Sequence, residues 1–192
     1  MLNLGGKVKI VIVRHAKVLF NKQKIYPNEM GKWLNQYNID EISEEIPGDK
    51  SFRIVMDKSE IFLCSSMPRS LASLELYGKT PNHIDKVFDE VSLPYPNKRG
   101  FFKLSPPLWR IIFRIAWLFG YSQNSESIKD AKLRAKKATT LLIESSKNGN
   151  VTLLGHGIMN RLIVKELERE KWKTLKKFNS NNWGYGVFEY DK

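Results

Sequence analysis

The sequence predicts an α/β fold, a three-layer sandwich whose mostly parallel central sheet is covered by helices on both faces. The first observation is that short apolar runs, typical of buried strands, alternate along the chain with segments of helical apolar spacing. The second is the length, because 192 residues can bury one sizeable core but not two comfortable ones. We therefore expect a single domain over residues 1–192.

Five short runs predict the strands. Each is rich in apolar residues and is followed by polar residues or glycine. Four core strands and one terminal edge strand are expected, at residues 9–13, 61–65, 87–88, 152–154 and 186–190.

Four longer segments between these runs predict the helices. They have helical apolar spacing and lie at residues 31–37, 68–77, 125–146 and 158–176. Gly78 follows the second segment and Asn148-Gly149 follows the third, and such residues commonly end helices. Because helices separate the strands, a mostly parallel sheet is favoured.

A segment at about residues 92–121 fits neither pattern. Prolines surround a basic loop, and an apolar and aromatic run at 108–119 follows it. Pro106-Pro107 predicts a helix start, with Arg110 and Arg114 on one side of that helix. The run is shorter than the ~20 residues needed to span a bilayer. Three interpretations stay open: a helix packed on its own domain, a peripheral helix lying in a membrane surface, and a contact between two copies of the chain.

The charge balance indicates anionic partners. Lysine and arginine outnumber aspartate and glutamate by 32 to 20, which gives a formal net charge of +12. Such a surface attracts a phosphorylated substrate, an anionic lipid surface or nucleic acid. The basic runs at residues 129–137 and 161–177 are explained more simply as solvated helix faces. No specific nucleic-acid partner is therefore expected.

Two features predict a cytoplasmic location. The amino-terminal residues lack the uninterrupted apolar segment of a signal peptide, since Lys7, Lys9 and Arg14 bracket the first apolar run. The single cysteine, Cys64, cannot form an internal disulfide, which fits a reducing compartment.

Four residues at predicted strand ends carry the candidate chemistry. Arg14 and His15 follow the first strand, Arg69 follows the second, and His156 follows the strand at 152–154. The carboxyl ends of parallel strands meet at one edge of an open α/β sheet, and ligands bind there. Two guanidinium groups and two imidazole rings at that edge predict a pocket for a tetrahedral dianion.

Further short motifs extend this pattern over nearly the whole chain. In order they are Arg14-His15-Ala16, Phe20-Asn21, Glu29-Met30-Gly31, Ser65-Ser66-Met67-Pro68-Arg69-Ser70, Glu126-Ser127 with Arg134, and Gly155-His156-Gly157. They resemble the motifs of the histidine phosphatase superfamily: Arg-His-Gly, Trp-Asn, Thr-x-x-Gly, Ser-Ser-x-x-Arg-Ala, Glu-Ser with a later arginine, and a second histidine motif. The resemblance implies the phosphoglycerate-mutase-like fold, in which the segment at 92–121 is a substrate-facing cap insertion.

The resemblance also implies roles for the residues at the strand ends. His15 is the nucleophile that forms a phosphohistidine, and its ring must be neutral to attack. The phosphate oxygens are bound by Arg14, Arg69, His156 and Asn21.

The remaining role is that of the acid that protonates the leaving group. The resemblance places a glutamate after the third strand, and Val87-Phe88-Asp89-Glu90 offers two adjacent carboxylates. Glu90 is the predicted acid, with Asp89 as the alternative. No metal ion and no other cofactor is expected, since the histidines are widely separated and lack metal-ligand spacing.

Departures from the family pattern favour hydrolysis over mutase activity. Val91 and Ser92 follow Glu90, where the mutases carry an arginine and soon afterwards a tyrosine that hold a second phosphate group. Lys17 and Val18 also replace a usual acidic residue and a phosphate-binding hydroxyl. We expect a metal-independent phosphatase acting on a phosphomonoester of a small molecule. A protein phosphohistidine phosphatase and a non-catalytic phosphate-binding or membrane-binding relative are the alternatives, and the oligomeric state stays open.

Overall fold

The computed structural model describes residues 8–190. The expectation about a leader segment concerns residues 1–7, which lie outside the described residues. In chain order the elements are β1 (Lys9–Arg14), α1 (Met30–Ile39), α2 (Lys50–Asp57), β2 (Ile61–Ser65), α3 (Pro68–Leu76), β3 (His83–Asp85), α4 (Pro106–Leu118), α5 (Ile128–Ser146), β4 (Val151–Gly155), α6 (Gly157–Arg169), β5 (Lys173–Lys176) and β6 (Tyr185–Glu189).

The strands form one mixed sheet in the order β3-β2-β4-β1-β6-β5. The first four strands of that order are parallel, whereas β6 is antiparallel to both β1 and β5. Arg14 pairs with Gly155 and Cys64 pairs with Leu154, so β1, β2 and β4 end at the same edge of the sheet. His15, Arg69 and His156 follow these ends.

Helices cover both faces of this sheet. On one face, Ile12 of β1 belongs to a buried cluster with Leu142 of α5. On the other face, Val13 packs in a second cluster with Phe52 of α2 and Leu74 of α3. Adjacent residues of β1 enter opposite cores because strand side chains alternate between faces. The three-layer α/β fold is thereby confirmed.

The strand predicted at residues 87–88 is wrong. The third strand is β3, and a 3-10 turn follows it at Lys86–Phe88. The Asp85 carboxylate accepts a hydrogen bond from the Val87 N–H at 2.8 Å and caps this turn. Phe88 is fully buried. The apolar pair Val87-Phe88 therefore indicates burial correctly but does not determine the backbone conformation.

The helix predicted at residues 158–176 is too long. Helix α6 ends at Arg169, and Lys171 adopts the left-handed region with φ of 62°, which the helix cannot continue through. The chain then forms β5, which pairs with β6. The predicted edge strand at 186–190 is therefore an interior strand, and β5 is the edge strand on that side of the sheet.

Helix α4 is the helix predicted within residues 92–121. Phe113 and Trp117 are buried beneath it, and the Trp109 ring stacks on Phe113. Indole N–H groups tie it to the rest of the molecule: Trp109 donates to the Ile25 carbonyl and Trp117 donates to the Glu126 carbonyl, each at 2.9 Å. Within residues 8–190 no helix is both long and apolar enough to cross a membrane.

Candidate active site

His15 lies at the carboxyl end of β1 and is buried. Its Nδ1 is 2.6 Å from the Ala16 carbonyl oxygen. Because a carbonyl can only accept, Nδ1 carries the ring proton and Nε2 keeps its lone pair. Burial, followed by the charges of His156 and two arginines, holds the pKa of His15 well below its ordinary value. The ring is therefore neutral and nucleophilic near pH 7.

Arg14 and Arg69 stand beside His15. The Arg14 Nη1 donates to the Ser180 carbonyl. The Arg69 Nη1 donates to Asn38 Oδ1 at 2.8 Å, and its guanidinium lies 5.3 Å from the centre of the Tyr37 ring. Each guanidinium is thus held by one end, which fixes the direction of its remaining N–H groups.

His156 precedes α6 and is completely buried. Its ring centre is 5.1 Å from that of His15. Its Nε2 lies 2.7 Å from Ser65 Oγ and 3.2 Å from Ser70 Oγ. Burial, with the charges of nearby arginines, holds the pKa of His156 well below its ordinary value.

Unpartnered polar atoms cluster around His15. In residues 8–190, four buried side-chain nitrogen or oxygen atoms have no hydrogen-bond partner. Three of them are Arg14 Nε, Arg69 Nε and His156 Nδ1. Burying such atoms without a partner is costly, and exceptions concentrate where a ligand supplies the partner. The three nitrogens therefore indicate a binding site for an oxyanion.

Glu90 faces the same cavity from the loop after the 3-10 turn. Its carboxylate accepts the Ile158 and Met159 N–H groups of α6, both at 3.1 Å. Burial acts to raise the pKa of Glu90, but the Arg114 charge and the Met159 N–H outweigh it, so this pKa lies below its ordinary value. Glu90 is thus an anion while the pocket holds no phosphate.

Asp89 has a different task. Its carboxylate accepts the Ser65 hydroxyl at 2.6 Å and the Ser66 N–H at 2.8 Å. It is not among the residues that line the cavity. Asp89 therefore fixes the loop that follows β2, whereas Glu90 lines the cavity.

The Glu126-Ser127 motif and Arg134 fix the backbone that carries these two carboxylates. Arg134 Nε donates to Glu126 Oε2 at 3.1 Å, and Arg134 Nη1 donates to the carbonyls of Val87 and Asp89 at 3.0 and 2.7 Å. This motif thus has a positioning role, which the sequence alone had not assigned.

Asn21 is not brought to the site. It is exposed, and its side-chain oxygen accepts the Gln23 N–H at 2.8 Å in a local turn. It does not line the cavity. The sequence had predicted it as a phosphate ligand from its place in a motif, which does not determine the path of the following loop.

A cavity of about 650 Å³ opens beside His15, and His156 is not among the residues that line it. Arg14, His15, Arg69 and Glu90 form one end, and α4 forms a facing wall. Arg110 and Arg114 of α4 line the cavity, and Arg114 Nη2 donates to the Val91 carbonyl at 2.9 Å. Sequence reasoning placed the two arginines on one side of a helix but did not assign them to the site.

The tryptophans of α4 do not line the cavity. Trp109 and Trp117 instead hold the helix in place through their indole hydrogen bonds. The apolar lining that α4 contributes comes from Ile111, Ile115 and Leu118. Within residues 8–190, no group of three or more histidine, cysteine, aspartate or glutamate side chains is arranged to hold a metal ion.

Comparisons with known proteins agree with this geometry. The family model of the histidine phosphatase superfamily, branch 1, matches residues 10–192. No curated protein matches the chain.

Solved structures share the fold at low sequence identity. A mycobacterial glucosyl-3-phosphoglycerate phosphatase is 13% identical, with 94% of this chain and 89% of that chain covered and a TM-score of 0.56. A phosphoserine phosphatase mutant from Entamoeba histolytica, in complex with phosphoserine, is 14% identical, with 93% and 89% covered and a TM-score of 0.53. A phosphoglycerate mutase from Bacillus anthracis is 15% identical, with 96% and 88% covered and a TM-score of 0.51.

Proposed function

The chain belongs to the histidine phosphatase superfamily, and we propose that it hydrolyses a phosphomonoester of a small molecule through a phosphohistidine on His15, without a metal ion. One observation carries the proposal: a neutral histidine with a free Nε2 stands among three buried nitrogens that lack partners. Phosphoryl transfer requires this combination of an in-line nucleophile and fixed donors for the equatorial oxygens.

In the first step, the His15 Nε2 lone pair forms a bond to phosphorus while the bond to the ester oxygen breaks. Arg14 and Arg69 neutralise the charge on the equatorial oxygens, and His156 adds a donor from Nδ1 in its protonated form. Glu90 gives a proton to the leaving oxygen. Binding of a phosphate dianion beside Glu90 raises the pKa of this carboxyl, because a like charge disfavours the anion. Substrate binding therefore shifts Glu90 toward its acid form, and the proton that it takes up from the solvent is the one that the leaving oxygen receives.

In the second step, a water oxygen attacks phosphorus and the N–P bond breaks. Glu90, now a carboxylate, takes a proton from the water, and inorganic phosphate leaves with His15 neutral again. The net change is ester plus water to alcohol plus phosphate. The Nδ1 hydrogen bond to Ala16 holds the ring in one tautomer throughout.

Hydrolysis is favoured over mutase activity by the residues after Glu90. Val91 and Ser92 offer no side-chain cation for a second phosphate group, and Arg114 donates to their carbonyl oxygens. A protein phosphohistidine phosphatase is the less favoured candidate, because the cavity beside His15, at about 650 Å³, has the volume of a site for a small organic ligand.

The test compares His15→Gln with His83→Gln, a change at an exposed position outside the cavity. We expect His15→Gln to lose hydrolysis of phenyl phosphate entirely and His83→Gln to keep it. Rapid acid-free quenching of wild type with ³²P-labelled substrate should trap an acid-labile, base-stable phosphoprotein that His15→Gln cannot form. Activity should survive EDTA. Near wild-type turnover by His15→Gln would contradict the covalent mechanism.

A further inference from the structure

Helix α4 presents apolar side chains in two directions that its own core does not require. Successive helical residues turn by about 100°, so three faces follow one another around the axis. The core face holds Pro106, Phe113 and Trp117, the cavity face holds Pro107, Ile111, Ile115 and Leu118, and the outward face holds Leu108 and Ile112, with Phe119 exposed just after the helix.

The cavity face and the outward face form one continuous apolar surface. Ile111 and Leu118 line the cavity and are nevertheless 58% exposed, and Ile115 lines it while 51% exposed. The cavity therefore opens along these side chains instead of closing over them. Exposed apolar surface of this extent on a soluble fold marks a place where an apolar group binds.

The phosphoryl group occupies only one end of this cavity. The donors and His15 lie at the sheet edge, and a cavity of about 650 Å³ is in the range that holds a whole organic ligand. Beyond the sheet edge, Leu34, Leu93 and Ile111 continue the lining in apolar side chains.

The cations of α4 remain close to the catalytic end. Arg114 is engaged with the Val91 carbonyl and with the charge of Glu90. The Arg110 guanidinium lies 5.0 Å from the centre of the Tyr37 ring, which the Arg69 guanidinium also contacts, at 5.3 Å. Neither Arg110 nor Arg114 lies on the outward face. An organic group that leaves the cavity there therefore contacts apolar side chains of α4.

We propose that the substrate is an amphiphilic phosphomonoester whose hydrocarbon chain leaves the cavity along Ile111, Ile115 and Leu118. This inference rests on the proposed function, because the phosphoryl group must sit at His15 for the chain to follow this path. The hydrocarbon chain of the substrate covers the exposed apolar side chains of α4. Its burial adds binding energy at a distance from the reacting bond.

The test is a series of unbranched alkyl phosphates, from methyl to decyl, used below their micelle concentrations. For wild type we expect kcat/KM to rise about twofold or more for each methylene, since a fully buried methylene is worth about fourfold. For each protein, kcat/KM is divided by its own value with methyl phosphate. On this scale, Ile111→Gln and Ile115→Gln should show a smaller rise with chain length than wild type. Leu133→Gln on α5, with Leu133 54% exposed outside the cavity, is the matched control and should keep the full rise.

The outcomes separate this inference from the proposed function. A flat series with intact hydrolysis of methyl phosphate would overturn the inference and leave the phosphatase standing. If no ester is hydrolysed, calorimetry of decyl phosphate against inorganic phosphate still decides: tighter binding of decyl phosphate that Ile111→Gln removes supports the inference, and equal binding overturns it. A dimer that Ile115→Gln dissociates, together with a flat series, would assign the surface to a second copy of the chain and overturn it as well.

Discussion

The two ends of the cavity are constructed differently. At the sheet edge, His15, Arg69 and His156 are nearly fully buried, and each is held by a hydrogen bond to the backbone or to a side chain. On α4, only one face is buried, and three apolar side chains that meet the cavity, Ile111, Ile115 and Leu118, are half exposed. A reacting phosphoryl group needs donors fixed in direction, whereas an organic group needs only shape and burial. Under the proposed function, the first end would carry out the reaction and the second would select the substrate.

The largest expected effect lies at the sheet edge. Arg69→Ala should lower kcat/KM for phenyl phosphate by about a hundredfold or more, the scale for losing one fixed donor to the transition state. Arg53→Ala, which removes an exposed arginine of α2, should leave the rate unchanged. Steady-state kinetics of the two variants checks this. Equal small losses would mean that positive charge in general, and not the position of Arg69, assists the reaction.

A second comparison distinguishes the two neighbouring carboxylates. Glu90→Gln should slow alkyl phosphates by roughly tenfold to a hundredfold but slow 4-nitrophenyl phosphate much less, because a good leaving group needs little protonation. Asp89→Asn should disturb the Ser65 and Ser66 contacts and slow both substrates alike. The ratio of the two rates is the measurement. A larger leaving-group effect from Asp89→Asn would assign the acid role to Asp89.

The buried histidines should make the sheet edge sensitive to acid. The unfolded chain protonates them below about pH 6.5, whereas the folded chain, with both pKa values held well below that, does not. The free energy of unfolding should therefore fall as pH drops below 6.5, by up to about 1.4 kcal/mol per pH unit for each histidine. Urea unfolding at several pH values gives this dependence, and the unfolding free energy of His156→Gln should change less with pH than that of wild type. His83→Gln, at an exposed site, should keep the pH dependence of wild type.

The smallest effect is expected where α4 is anchored. Trp109→Phe removes the indole donor to the Ile25 carbonyl and should lower the free energy of unfolding by about 1 kcal/mol. Hydrolysis of phenyl phosphate should stay within about twofold, because Trp109 does not line the cavity. A large loss of turnover at unchanged stability would show that the cap also positions the chemical end.

Local sequence signals identified most of the sheet edge. Arg14, His15 and Arg69 follow apolar runs whose strand conformation is set by residues within the run, so their shared edge could be predicted. The phosphoglycerate-mutase-like class followed from the same motifs. Helix α2 was missed, although Asp49 caps it by accepting the Ser51 N–H at 2.9 Å, because its eight residues make only about two turns and so show little of the helical spacing.

Long-range packing determined what the sequence could not indicate. The turn at Lys86–Phe88 is held not only by its local Asp85 cap but also by Arg134 of α5, which donates to the Val87 and Asp89 carbonyls. Likewise, the side of α4 that faces the cavity depends on where Trp117 meets Glu126. Contacts between such distant residues have no local signature, so Ile111 and Ile115 could not be assigned in advance.

The hydroxyl of Ser65 determines where protons reside in the resting pocket. Its one hydrogen goes to Asp89, and its two lone pairs accept from the Met67 N–H at 3.1 Å and from His156 Nε2 at 2.7 Å. His156 must therefore carry its proton on Nε2, which leaves Nδ1 bare until a second proton arrives. In the proposed hydrolysis, a phosphate dianion that contacts Nδ1 captures this proton from the solvent. We therefore predict that phosphate binding is coupled to proton uptake and that product inhibition grows stronger as the pH falls.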